Sequence, residues 1–377
     1  MKNVTVKLSA MAASVMLLVA ACKRDTQRTE LPYEKPELPA TSFDYTSNLS
    51  GIFTGIEVTN DKATLGRVLF YDKHLSFNNA VSCGSCHKQE KAFADDKRFS
   101  EGFIGEIGAR NTPPIFNLTS GANLFWDARA NNLSDMVLMP IKHREEMGLE
   151  DIKVLENKLA EIPYYPELFK SAFGSKKITV NKISEALASF LISIRANNSP
   201  YDKAMRGTHT LNPEQQRGST LYFTKLHCQE CHKDANNTFS YMPEVFNIGL
   251  ESKYKDEGRK GITNSSQDEG FFKAPQLRNL AFTAPYMHDG RFATLEEVVE
   301  HYNSEVVNHP NVSRQLSEVK PFGGWGNNNG GQVVRNKHGM PTLELTEDDK
   351  KDLIAFLKAM SDESMVKDPK FADPFKQ

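Results

Sequence analysis

Cys83-Gly84-Ser85-Cys86-His87 and Cys228-Gln229-Glu230-Cys231-His232 are two copies of one pattern. Cys-x-x-Cys-His is the attachment sequence of a c-type haem: the two thiols add to the haem vinyl groups, and the adjacent histidine ligates the iron. For a single motif, zinc binding or a redox dithiol is the rival reading. Two complete copies in a chain that opens like an exported one point instead to two covalently bound haems c, and so to redox chemistry.

The N-terminus supplies the export. Lys2 and Lys7 flank the start of an apolar run from Leu8 to Ala21, right for a signal-peptide core and too short to span a bilayer. The run ends Leu18-Val19-Ala20-Ala21-Cys22, which is similar to a bacterial lipoprotein signal. Residues 1–21 are therefore expected to be removed, and Cys22 to become the lipidated first residue; an ordinary signal peptide cleaved before an incidental cysteine is the rival. The expected location is periplasmic or otherwise extracytoplasmic, with the mature protein held to a membrane only through its lipid anchor. Of the five cysteines, one then carries lipid and four form thioethers, leaving none for a disulfide.

A length of 377 residues predicts two domains, and a net charge of −2 gives no reason to expect a nucleic-acid partner. Residues 22–45, rich in Pro, Glu and Thr at first, read as a flexible tether. One haem motif falls in each of two segments, an N-terminal domain over 46–204 and a C-terminal domain over 205–365, with 366–377 as a tail. Apolar spacing is mostly helical. Leu187, Phe190, Leu191 and Ile194 recur at i, i+3, i+4 and i+7. Thr346 with Asp349 resembles a capping box, opening a helix with Leu353, Phe356, Leu357 and Met360 on one face. The span from Ser199-Pro200 to Pro213 is the expected interdomain connection. The Gly/Asn-rich stretch from Gly323 to Gly331 reads as an exposed loop. The fold class is mainly α.

From about Leu65 to Leu357 a series of short elements occurs in order. It begins with Leu69-Phe-Tyr-Asp-Lys-His-Leu-Ser76, the first haem motif, Arg110-Asn-Thr-Pro-Pro114, Phe125-Trp-Asp-Ala-Arg-Ala130 and Glu146-Met-Gly148. It continues through the second haem motif, Leu277-Arg-Asn279, Thr283-Ala-Pro-Tyr-Met-His-Asp-Gly290 and Thr294-Leu-Glu-Glu297. On these landmarks the sequence resembles the bacterial di-haem cytochrome c peroxidase family, including its MauG-like branch. The resemblance implies two cytochrome c-like helical domains packed around an interdomain interface, and an enzyme that reduces hydrogen peroxide or uses it for oxidation.

It also implies site residues. His87 and His232 are the expected proximal ligands, at a peroxidatic and an electron-transfer haem respectively. At the second haem the family's sixth ligand, Met in the peroxidases and Tyr in the MauG-like branch, falls on Tyr302, with His301 as the rival. At the first, the loop that carries a distal histidine in peroxidases needing reductive activation has none here. Phe103 takes that place, and His74 or His143 would be an unexpected ligand. Glu146 matches the pocket glutamate that moves protons, Met136 stands where many members have glutamine, and Trp126 matches the tryptophan between the haems. Asn111, Thr283 and Pro285 match an interdomain calcium site. Arg110, Arg278 and His288 are candidates to neutralise haem propionates.

The leading expectation is peroxide reduction with electrons from a small redox protein, such as a cytochrome c or a cupredoxin. One alternative is MauG-like oxidation of a protein or organic substrate. Another, from a different class, is a non-catalytic electron-transfer lipoprotein. Family peroxidases are often dimers, so a homodimer is among the expectations.

Overall fold

The computed structural model describes residues 35–38, 42–49, 55–118, 123–233, 244–318 and 333–375. The signal sequence, Cys22, most of the expected tether and the Gly323–Gly331 stretch lie outside the described residues. Among those described, short helices dominate, and the single two-stranded sheet pairs β1 (Val245–Phe246) with β2 (Phe272–Lys273) antiparallel.

The architecture rests on one helix crossing built twice. In the first half, α1 (Asn60–Tyr71) crosses α2 (Val180–Ser193); in the second, α3 (Pro213–Thr220) crosses α4 (Glu347–Ala359). A glycine makes each crossing close. A Cβ on Gly66 would sit 1.9 Å from the Ala186 carbonyl oxygen and 2.8 Å from the Phe190 Cβ. A Cβ on Gly218 would sit 1.9 Å from the Asp352 carbonyl oxygen and 2.8 Å from the Phe356 Cβ. The two backbones therefore touch where no side chain fits between them. The flanking sequence repeats as well: Gly66-x-x-Leu69-Phe70-Tyr71 matches Gly218-x-x-Leu221-Tyr222-Phe223. Leu187, Phe190 and Leu191 likewise match Leu353, Phe356 and Leu357 at the same spacing, and all six are buried.

Helix starts are capped as the sequence suggests. The Thr59 and Thr179 side chains accept from the third backbone N–H of their helices, and Thr346 with Asp349 forms the reciprocal box. Ser199, Pro200 and Asp202 open the short linker helix in the same way, and its Asp202 is bound by the buried Arg278 at 2.7 Å. That ion pair ties the connection to the second half.

The C-terminal segment expected as a tail instead runs back over the first half. Met365, Val366 and Phe371 enter the core of α1 and α2, and Tyr45, at the end of the expected tether, is buried with them. Backbone carbonyls of the segment accept from Arg67 Nε (2.6 Å, Ala372), Tyr71 Oη (2.7 Å, Phe371) and Tyr45 Oη (3.0 Å, Lys370). Gln89 Nε2, two residues beyond the first haem histidine, donates to the carbonyls of Met365 and Asp368. The last stretch of chain thus holds the first haem loop from behind.

Candidate active site and second haem cavity

Both motif histidines are prepared in the same way. His87 Nδ1 lies 2.8 Å from the Phe93 carbonyl oxygen, and His232 Nδ1 lies 2.8 Å from that of Pro275. A carbonyl can only accept, so Nδ1 carries the proton in each and Nε2 is left as the free donor atom for a metal. Burial lowers both imidazole pKa values, keeping the rings neutral, as ligation requires. Burial also pushes the Cys83 and Cys228 thiols up to about 12. Such thiols are poor candidates for the thiolates of a zinc site or a reactive dithiol.

The second half holds a largely apolar cavity with Cys228, Cys231, His232 and Tyr302 on its wall, among Leu226, Val299 and Leu357. This donor set fits a c-type haem: two thiols and a histidine come from one strip of chain, and apolar walls suit the macrocycle. Helix geometry sets which of His301 and Tyr302 reaches the cavity. The helix Leu295–Glu300 continues into a π-turn over His301–Glu305, a form that recurs at functional sites. There His301 Nε2 is engaged by the Ile248 carbonyl oxygen at 3.0 Å, whereas Tyr302 lines the cavity. Burial raises the Tyr302 phenol, with Cys231 and Cys228 adding to the effect, so a cation at its oxygen would be needed to draw off its proton.

The first half has no counterpart of Tyr302 on its loop. Phe103 is held to the Glu146-Met147-Gly148 turn by its N–H, which donates to the Glu146 carbonyl oxygen at 2.9 Å. Gly148 has φ +72°, and a Cβ there would fall 2.3 Å from the Phe103 ring. Glycine at 148 is thus required both by backbone conformation and by the ring stacked on it. The Glu146 side chain stays 45% exposed, its Oε1 3.6 Å from His143 Nδ1. Burial nevertheless raises the Glu146 carboxyl above its ordinary 4.5; His143 and Arg129 pull it back, and Glu145 adds to the rise. His74 is buried and bound to Asp72 through Nδ1 at 2.6 Å. Met136 is buried in the first core and offers the pocket no hydrogen bond.

Trp126 belongs to the first half in sequence and to the second in space. It packs with Leu250, Tyr254 and Phe272 and lines the second cavity. Its Nε1–H donates to the Asn111 carbonyl oxygen at 2.8 Å, and its own carbonyl accepts the Lys273 N–H at 2.7 Å. Asn111, Thr283 and Pro285 meet around the same cavity, and the Asn111 N–H donates to the His288 carbonyl oxygen at 2.7 Å. Of the cations expected at haem propionates, two have other partners. Arg110 grips Asp256 with two nitrogens (2.6 and 2.8 Å) and Asp127 with a third, clamping the two halves together. Arg278 holds Asp202. His288 stacks on Phe272 with ring centroids 3.6 Å apart and lines the cavity, its imidazole held down to about 4 by burial. One cation on the cavity wall escaped the sequence reading: Lys273.

Comparison with known proteins agrees with this arrangement. The sequence model of the family described as di-haem cytochrome c peroxidase matches residues 60–210. The methylamine utilization protein MauG of Methylorubrum extorquens is 32% identical over 311 residues, which cover 81% of this chain and 80% of that protein. The cytochrome c551 peroxidase of Nitrosomonas europaea is 33% identical over 264 residues, 70% of this chain and 78% of that protein. The crystal structure of a MauG-like protein associated with microbial copper homeostasis superposes with a TM-score of 0.70 at 31% identity. That superposition covers 92% of this chain and 99% of that one.

Proposed function

The chain belongs to the di-haem cytochrome c peroxidase family that includes MauG, and from that premise we propose that its two halves take unlike parts in one peroxide reaction. It is a peroxidase-type oxidoreductase with two haems c. The reading assigns peroxide to the His87 half and electron entry to the His232 half, in the overall reaction H2O2 + 2 electrons + 2 H⁺ to 2 H2O. The carrying observation is the contrast between Tyr302, which lines the second cavity, and the first half, where Phe103 rests on Gly148 and Glu146 stays within reach of solvent.

When bound, the haems supply iron that takes peroxide oxygen and passes electrons. The chain's own residues orient and protonate. Glu146 accepts the proton of the arriving peroxide and returns it to the departing oxygen, a task suited to a carboxyl lifted by burial. His143, beside it, can relay inward from solvent the protons that the reduction takes up. Trp126 spans the seam and offers an aromatic step between the haem sites. Tyr302, ligating as phenolate, would favour the ferric state of the second haem and lower its potential relative to a Met ligand. Asn111 with the carbonyls of Thr283 and Pro285 would hold a calcium ion across the seam.

Electrons would come from a small redox protein, a cytochrome c or cupredoxin. The enzyme would work outside the cytoplasm, anchored through a lipid on Cys22. No helix of the described residues is long and apolar enough to cross a membrane. A second reading, MauG-like oxidation of a protein or organic substrate, is favoured by the placement of Tyr302 and by the loop that carries Phe103 in place of a histidine.

Steady-state peroxide consumption with a reduced small cytochrome, started from the fully ferric enzyme, tests the first reading. Turnover without a lag supports it. Turnover only after pre-reduction contradicts the open first site, and a long-lived oxidised state without consumption of the donor selects the second reading.

A further inference from the structure

Lys273 is anomalous in its surroundings. It is the second residue of β2, its N–H is tied to the Trp126 carbonyl, and it lines the cavity that holds Cys228, Cys231, His232 and Tyr302. Among the described residues its ammonium has no hydrogen bond and no ion pair. Its neighbours on the cavity wall are different. Arg278 is neutralised by Asp202, and His227 faces Glu230 at 3.6 Å. Burial alone pushes the Lys273 ammonium down to about 8, with no carboxylate near enough to oppose it. Lys273 is half-buried, lining this cavity, and an ammonium held against largely apolar walls without a counter-charge is unfavourable. The cavity walls are apolar, and none of the described carboxylates supplies that charge.

A c-type haem brings two carboxylates of its own. We propose that Lys273 is the internal counter-charge to a propionate of the haem carried by His232, replacing Arg110 and Arg278 in that role. The proposal rests on the reading of this cavity as the second haem site. The pairing has two consequences. Lys273 offsets a negative charge close to the iron, so it holds the second haem's potential above what the phenolate of Tyr302 alone would set. It also fastens the haem edge to the strand whose backbone is bonded to Trp126, fixing the haem relative to the aromatic step between the sites.

The test is a spectroelectrochemical titration of both haems in the full-length holoprotein and in Lys273→Met and Lys273→Arg. In Lys273→Met the second haem's midpoint potential should fall by about 59 mV, the equivalent of tenfold in a one-electron equilibrium. The first haem should move less, and Lys273→Arg should stay near the wild-type value. An unshifted second haem in Lys273→Met, with two haems still attached, overturns the proposal. If Lys273→Met attaches fewer than two haems, Lys273→Gln takes its place and must show the same fall. A haem count by the pyridine method separates this from failure of the underlying reading: a wild-type chain with only one haem would sink the second haem site itself.

Discussion

The two halves share a scaffold and part company at the residue that faces each haem site. Each has a glycine helix pressed against a helix bearing Leu-x-x-Phe-Leu, and a histidine whose Nδ1 is spent on a backbone carbonyl 2.8 Å away. Past that point the second half presents Tyr302 from a π-turn, whereas the first presents Phe103 packed on Gly148 beside a half-exposed Glu146. The duplicated frame delivers two histidines in the same state. In the proposed function these unlike surroundings would divide the labour, because an iron with a strong sixth ligand relays electrons and one with an open face reacts.

The largest expected effect tests whether Glu146 makes the first half reactive. Glu146→Gln should lower kcat/KM for peroxide by about 10²- to 10⁴-fold in stopped-flow mixing, with both haems still attached. The pH profile sharpens this. Because burial raises the carboxyl, the base form is lost on acidification at a pH above the ordinary 4.5. Wild-type activity should therefore show an acid limb centred above that value, and Glu146→Gln should lack it.

Next comes an asymmetry of support. Among the described residues the returning C-terminal segment puts Met365, Val366 and Phe371 into the core of the first half, so Phe371→Ala should cost about 3–5 kcal/mol. Hydrogen exchange should show the loss in α1 and α2 and leave α3 and α4 protected. Gly66→Ala and Gly218→Ala probe the shared frame. Each should destabilise its own half by about 1–3 kcal/mol or more, since the added Cβ meets a carbonyl oxygen. Clearly unequal costs would break the claim that the crossings are equivalent. The smallest effect is expected from His301→Gln, which should leave the absorption of the second haem unchanged, whereas Tyr302→Phe should alter it.

Much of this was legible in the sequence because it is local. The haem motifs, the cap at Thr346 and the apolar face from Leu187 to Leu191 are patterns within a few residues, and the cap and the buried helix face took the expected form. Tyr302 against His301 could be framed from the sequence but not decided, because the π-turn that orients them is a product of packing. The repeat of Gly66-x-x-Leu69 as Gly218-x-x-Leu221 was present in the letters, yet it stands out only once the crossings are superposed. Non-local pairings left no trace. Nothing near Arg110 announces Asp256, and nothing in the last dozen residues announces that Phe371 belongs to the first core. Lys273 carries no signal in the sequence, and only the cavity it lines singles it out.

The contrast between the halves is tested most directly by EPR and optical spectra of the as-isolated ferric protein, before and after one equivalent of hydrogen peroxide. One high-spin haem beside one low-spin haem, with prompt reaction and no prior reduction, is the predicted result. Two low-spin haems inert to peroxide would contradict it.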